Sequence, residues 1–130
     1  MEIMMSKSTV LNAYKQTEQN YVNGIETPHG RIKILFETII DNLDKLLKSH
    51  PKTDFVSYGK CLNALNILSS SLDMKAGKDL AENLSELYTY CSNQIKEYLE
   101  VKSDKKLSEV KDIILGLSQA WDQIDSNTST

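Results

Sequence analysis

The chain has 130 residues, a formal net charge of −3, and 25% charged against 40% apolar residues. That length suits one domain able to bury roughly two thirds of its unfolded surface without staples, and no concentration of basic residues supplies an electrostatic footprint for nucleic acid. Two prolines and five glycines are too few for a β fold built on many turns, which leaves helix.

The stretch from Met1 to Lys7 has no basic region leading into an apolar core, so it does not read as a secretion signal. No run approaches the ~18 apolar residues that a membrane span requires, and a cytoplasmic location is expected. The first helical pattern is short, Thr9 to about Tyr21, and Asn23-Gly24 interrupts it. Thr27-Pro28 opens the next helix, with threonine as N-cap and proline at the first helical position, where its missing N–H is not needed. Ile32, Leu35, Phe36, Ile39, Ile40, Leu43, Leu46 and Leu47 give that helix a wide apolar stripe. Lys45, Lys48 and His50 suit the negative pole of its dipole, and His50-Pro51 marks its stop.

A third helix is expected from about Asp54 to Leu72, through Phe55, Tyr58, Leu62, Leu65 and Leu68. Gly77 then reads as part of a tight turn, because glycine takes the left-handed cap without a Cβ clash. The fourth helix runs from about Gly77 to Val101 with Leu80, Leu84, Leu87, Tyr88 and Cys91 on one side. Ser103-Asp104 reads as the cap of the fifth. There Leu107, Val110, Ile114, Leu117, Trp121 and Ile124 recur at alternating spacings of three and four, a seam for near-parallel packing at roughly 20°. The expected architecture is all-α: an antiparallel four-helix bundle over residues 27–125 with a short extra N-terminal helix. That helix sits on a mobile N-terminal arm, residues 1–26, and residues 126–130 form a disordered tail.

Chemistry is hard to find. Cys61 and Cys91 are far apart and each lies among apolar neighbours, as reduced core residues do. Glu26-Thr-Pro-His29 has the Glu-x-x-His spacing of di-iron bundles, but such sites need two of these motifs plus inward glutamates from two other helices. One motif straddling a helix cap does not make a metal site. His50 stands before a proline at a helix end, more a dipole partner than a catalyst. No phosphate-binding glycine loop and no nucleophile with a base at a recognised spacing is present, and Lys102 to Lys106 reads as a solvated loop. Catalytic residues, metal, cofactor and small-molecule substrate are therefore not expected. Apolar surface remains. Ile39, Ile40, Leu43, Leu46 and Leu47 cover more than the ~100° one bundle face needs. Either the N-terminal segment packs over the excess, or a groove is left for an amphipathic partner segment.

Several short patterns in register carry a resemblance. Ala13-Tyr14, then Pro28 followed by Leu35-Phe36-Glu37, then Ser71-Leu72-Asp73, Gly77, Ala81, Asn83-Leu84, Leu87-Tyr88 and Tyr90, then Glu109-Val110 and Ala120-Trp121 resemble the flagellar export chaperones that bind flagellin, the FliS family. The likeness runs from Leu11 to Ile124. This chain departs at Val22-Asn-Gly-Ile-Glu-Thr-Pro28, one residue longer than the family pattern, and at Ala76-Gly77, where the family has paired glycines. Ser92, Asn93 and Gln94 replace basic residues common after Tyr-x-Tyr. The resemblance implies a cytoplasmic, non-catalytic chaperone that binds the C-terminal segment of unpolymerised flagellin, prevents premature polymerisation and delivers it to the export apparatus. The apolar faces of the second and third helices place the expected flagellin contact on Ile32, Phe36, Ile40, Leu68 and Leu72. The resemblance at Leu11-Asn12-Ala13-Tyr14 implies docking of the flagellar export gate protein by Leu11 and Tyr14. The alternative is a non-catalytic bundle adaptor that binds another amphipathic helix or self-associates.

Overall fold

The computed structural model describes residues 28–123. Four α-helices follow in order: α1, Pro28–Ser49; α2, Phe55–Ser70; α3, Met74–Val101; and α4, Asp104–Asp122. The predicted helix within residues 1–26, the Thr27 cap, Ile124 and the tail lie outside the described residues.

Local chemistry sets most of the boundaries. Asp54, in an extended conformation, caps α2 by accepting the Ser57 N–H at 3.1 Å, which satisfies one of the donors a helix start leaves open. Asp73 does the same for α3, accepting from Lys75 N and Ala76 N at 3.1 and 3.0 Å. Ser103 has the extended N-cap backbone but no side-chain cap bond. Asp104 instead places a carboxylate in the first turn of α4, where the dipole favours it.

The expected glycine turn lies inside α3, which joins two helical pieces across a kink: the buried Gly77 donates its N–H to the Asp73 carbonyl at 2.7 Å and stands directly before the break. The connection between α2 and α3 is Ser71–Asp73, and the Asp73 cap starts the new helix three residues before the glycine. The backbone breaks its helical course at Lys78, with φ 49° and ψ −127°.

The helices form a ring: α1 and α3 each pack against both α2 and α4. Hydrogen bonds show the directions. Lys33, early in α1, reaches Ser118 Oγ at 2.7 Å and Asp122 at 2.8 Å late in α4, whereas Asp44, late in α1, pairs with Lys111 at 2.6 Å. Glu97, late in α3, pairs with Lys106, early in α4, at 3.2 Å. Neighbours are therefore antiparallel. Exposed pairs of this kind contribute little stability, roughly 0–1 kcal/mol each; their value is register.

The core runs the length of the ring. Phe36, Ile39, Leu43 and Leu46 of α1 meet Cys61, Leu65 and Leu68 of α2 and Leu84, Tyr88, Ile95 and Tyr98 of α3. The α4 seam closes it: Leu107, Val110, Ile114, Leu117 and Trp121 are all buried. The Trp121 indole meets Phe36 edge-on, with ring centres 6.3 Å apart and planes at 81°, the geometry that aromatic quadrupoles prefer. Asn42 interrupts this apolar interior. Its Nδ2 donates to the Thr38 carbonyl at 2.7 Å, and its buried Oδ1 has no partner among the described residues.

Candidate functional site: the outer face of α2

Among the four helices, α2 is the least amphipathic. Its 16 residues carry one charge, Lys60, and no carboxylate. Its inward face is fully committed, with Cys61, Ala64, Leu65 and Leu68 buried. Its outward face still shows Phe55 at 66%, Val56 at 67% and Ile67 at 37% exposure, beside Asn63, Asn66 and Ser70. A helix that is apolar or uncharged all round has either buried its outer face or left it for a partner.

Between this face and α3 lies an open groove of 420 Å³, within the usual range for ligand clefts. From α2 come Leu62, Leu65, Asn66 and Ser69; from α3 come Tyr88, Thr89, Ser92, Asn93 and Lys96. Leu65 and Tyr88 form a buried floor and Leu62 is half-buried. The rim is amide and hydroxyl with one ammonium, Lys96. Such a lining accepts an apolar ridge and hydrogen-bonds its flanks.

Of the five residues expected to contact flagellin, four lie at one end of the bundle, and Ile40 stands apart from them. Because α1 and α2 are antiparallel, with Cys61 Sγ donating to the Ile39 carbonyl at 3.7 Å, Ile32 and Phe36 lie at the same end of the bundle as Leu68 and Leu72. All four are buried, and Ile40 is half-buried against the core. Leu11 and Tyr14, the expected export-gate residues, lie outside the described residues, as does Glu26. Among the described residues no group of three His, Cys, Asp or Glu side chains is placed to hold a metal ion, and no helix is long and apolar enough to cross a membrane.

The remaining titratable groups are structural. Burial pushes the Cys61 and Cys91 thiols up to about 12, so both are inert thiols rather than nucleophiles. His50 Nδ1 lies 2.6 Å from the Tyr98 hydroxyl, beneath Lys102, whose ammonium bonds Thr53 and sits 5.1 Å from the Tyr98 ring centre. This knot ties the loop after α1 to the end of α3. Tyr90, exposed on the α3–α4 side, donates to Glu109 at 2.8 Å, and that hydrogen bond raises its pKa.

Sequence reasoning concentrated on the apolar excess of α1 and, around α2, on the apolar Leu68 and Leu72, and passed over the uncharged outer face of α2. The signal was available: sixteen helical residues with one charge, against acid and base at nearly every turn elsewhere.

Comparison with known proteins identifies relatives along nearly the whole sequence. The family described as flagellar protein FliS matches residues 10–128. A flagellar secretion chaperone FliS of Vibrio cholerae is 30% identical over 118 residues, covering 88% of this chain and 87% of that protein. One of Salmonella typhimurium is 28% identical over 130 residues, covering 96% of each. With the family match spanning nearly the whole sequence, the chain belongs to the FliS family of flagellar proteins.

Proposed function

We propose that this protein is a cytoplasmic flagellar secretion chaperone. It binds the C-terminal segment of unpolymerised flagellin, keeps it from assembling and hands it to the export apparatus. Family membership supports the chaperone role. The observation that carries the binding mode is the acid-free outer face of α2 with its groove against α3. A flagellin end that drives head-to-tail growth makes heterologous, non-closing contacts, so capping it blocks the filament. Ordering a disordered segment on binding offsets part of the interaction energy, which keeps the complex reversible without ATP.

In this reading the apolar ridge of a client helix lies over Leu62, Leu65 and Tyr88. Ile32, Phe36, Leu68 and Leu72 shape the bundle end from beneath, and Ile40, on the face of α1 that carries Lys33 and Asp44 toward α4, meets only a client segment that wraps on beyond the groove. Leu11 and Tyr14, on the N-terminal arm, dock the export gate protein. The test is calorimetry and circular dichroism with a synthetic peptide of the flagellin C-terminus. Binding should add helix and show a negative heat-capacity change. Asn66→Glu and Ile67→Asp, both at exposed positions, should weaken it while leaving the thermal midpoint in place. Unchanged affinity in both variants would take the contact off α2.

A further inference from the structure

The α2 wall of the groove continues beyond the groove itself. Leu62, Leu65 and Ser69 line it, and counting back from Leu62 by the same steps of four and three reaches Tyr58 and Phe55. All five therefore share one stripe of the helix. Along that stripe exposure grows toward the start of α2: Leu65 is buried, Leu62 and Tyr58 are half-buried, and Phe55 stands largely in solvent. The Phe55 and Tyr58 rings meet edge-on, with centres 6.2 Å apart and planes at 75°. Because α2 and α3 are antiparallel, the facing wall is the stretch of α3 one turn past Lys96, with Leu99 half-buried against the core and Glu100 on the rim. Charge favours neither sign here. Lys96 and Glu100 offset each other, Asp54 is committed to capping α2, Lys102 bonds Thr53, and Lys60, two residues from Leu62, is on the opposite side of its helix.

A single exposed apolar side chain is ordinary, but one continuous with a groove belongs to the same surface. We infer that the client site runs on past the groove to the end of the bundle, where Phe55 anchors the last apolar residue of the client's ridge. This rests on the reading of the protein as a flagellin chaperone and adds how far the bound segment reaches and how long it has to be. Leu65 and Phe55 are ten residues apart, about 15 Å at a rise of 1.5 Å per residue, so a client helix along the stripe needs about three turns with an apolar residue on each. Phe55 suits the part. It is the first residue of α2, behind the Asp54 cap and the Thr53 that Lys102 holds, and an aromatic ring with two side-chain torsions loses little freedom on binding. The rest of this chain enters and leaves the described bundle at the other end, where Lys33 near the start of α1 meets Asp122 at the end of α4. That leaves the client as the occupant.

Calorimetry with the flagellin C-terminal peptide and the full chain tests it. Phe55→Ala should weaken binding about tenfold and leave the thermal midpoint in place, because the ring is exposed. Val101→Ala is the control and should bind as the parent does. It removes another exposed apolar side chain at the same end of the bundle, but one five residues past Lys96 and so about 140° round α3 from the groove. Shortening the peptide stepwise from one end should, at one step, weaken binding to the parent and remove the difference between parent and Phe55→Ala. Shortening from the other end should keep that difference until binding is lost. Equal affinity of parent and Phe55→Ala, an equal loss in Val101→Ala, or a difference that survives both series overturns the inference while the chaperone reading stands. A dimer of the free protein that Phe55→Ala abolishes with peptide affinity unchanged also overturns it, and gives the ring to a second copy. So does a Phe55 amide signal that shifts on deletion of residues 1–22 and not on adding peptide, which gives it to the arm. A peptide that does not bind the parent overturns both readings.

Discussion

Lys78 holds a backbone conformation, φ 49° and ψ −127°, that a Cβ disfavours and glycine adopts freely. The neighbouring Gly77 does not occupy it, so the strain falls on an exposed lysine that contributes no packing. Lys78→Gly should therefore stabilise the protein by about 1 kcal/mol, read as a higher urea midpoint with an unchanged slope. Trp121 argues the opposite way. It is 1% exposed and fills the seam against Phe36, so Trp121→Ala should cost ~3–5 kcal/mol in the same measurement. The two buried thiols add a pH dependence. Their ordinary value is 9.0 and burial raises each to about 12. Between those values the unfolded chain has released protons that the folded one retains, so stability declines as pH rises above 9. At pH 8 neither thiol should react with a disulfide reagent until the protein unfolds.

At the scale of single helices, α4 was wholly readable from its spacing, because a strict three–four repeat leaves one seam and every described member of it is buried. The start of α3 was readable in part: the helical course breaks beside Gly77, at Lys78, and the sequence reading missed only the short turn before it, which Asp73 caps by accepting two backbone N–H groups at once. Asp54 plays the same part for α2, and its hydrogen bond from Ser57 holds its pKa below the usual 3.8. A depressed carboxylate stabilises above its unfolded pKa and loses that contribution as pH falls through the folded one. The gap in thermal midpoint between the parent and Asp54→Ala should accordingly be full at neutral pH and close below about pH 4. The groove was the least legible part. Apolar periodicity says which residues avoid water, not which of them still lack a neighbour after four helices have packed. Ile32, Phe36, Leu68 and Leu72 were picked for their apolar faces, and those faces are spent on the bundle itself. What marks α2 is missing charge rather than added apolar bulk.

For the molecule as a whole, the described residues pack one core drawn from all four helices. Deleting residues 1–22 should leave the helical signal and cooperative unfolding of the bundle in place. If the arm covers the client site, flagellin peptide should associate faster with the truncated protein, and binding to the export gate protein should be lost. Stopped-flow fluorescence of Trp121 reads the first and a pull-down the second; collapse of the bundle on truncation would make the arm part of the core. The arrangement of contacts has a further consequence for how the chain is made. Every principal helix contact joins neighbours along the sequence except that between α1 and α4, so most of the fold is local and should form quickly, in microseconds to milliseconds for a helical bundle. The closing step waits for the last helix. While α4 is still inside the ribosome, Phe36 has no indole to meet and Lys33 no Ser118 or Asp122, so a nascent chain of three helices carries an open apolar flank along α1. The core cannot shut until α4 has been made and has reached α1.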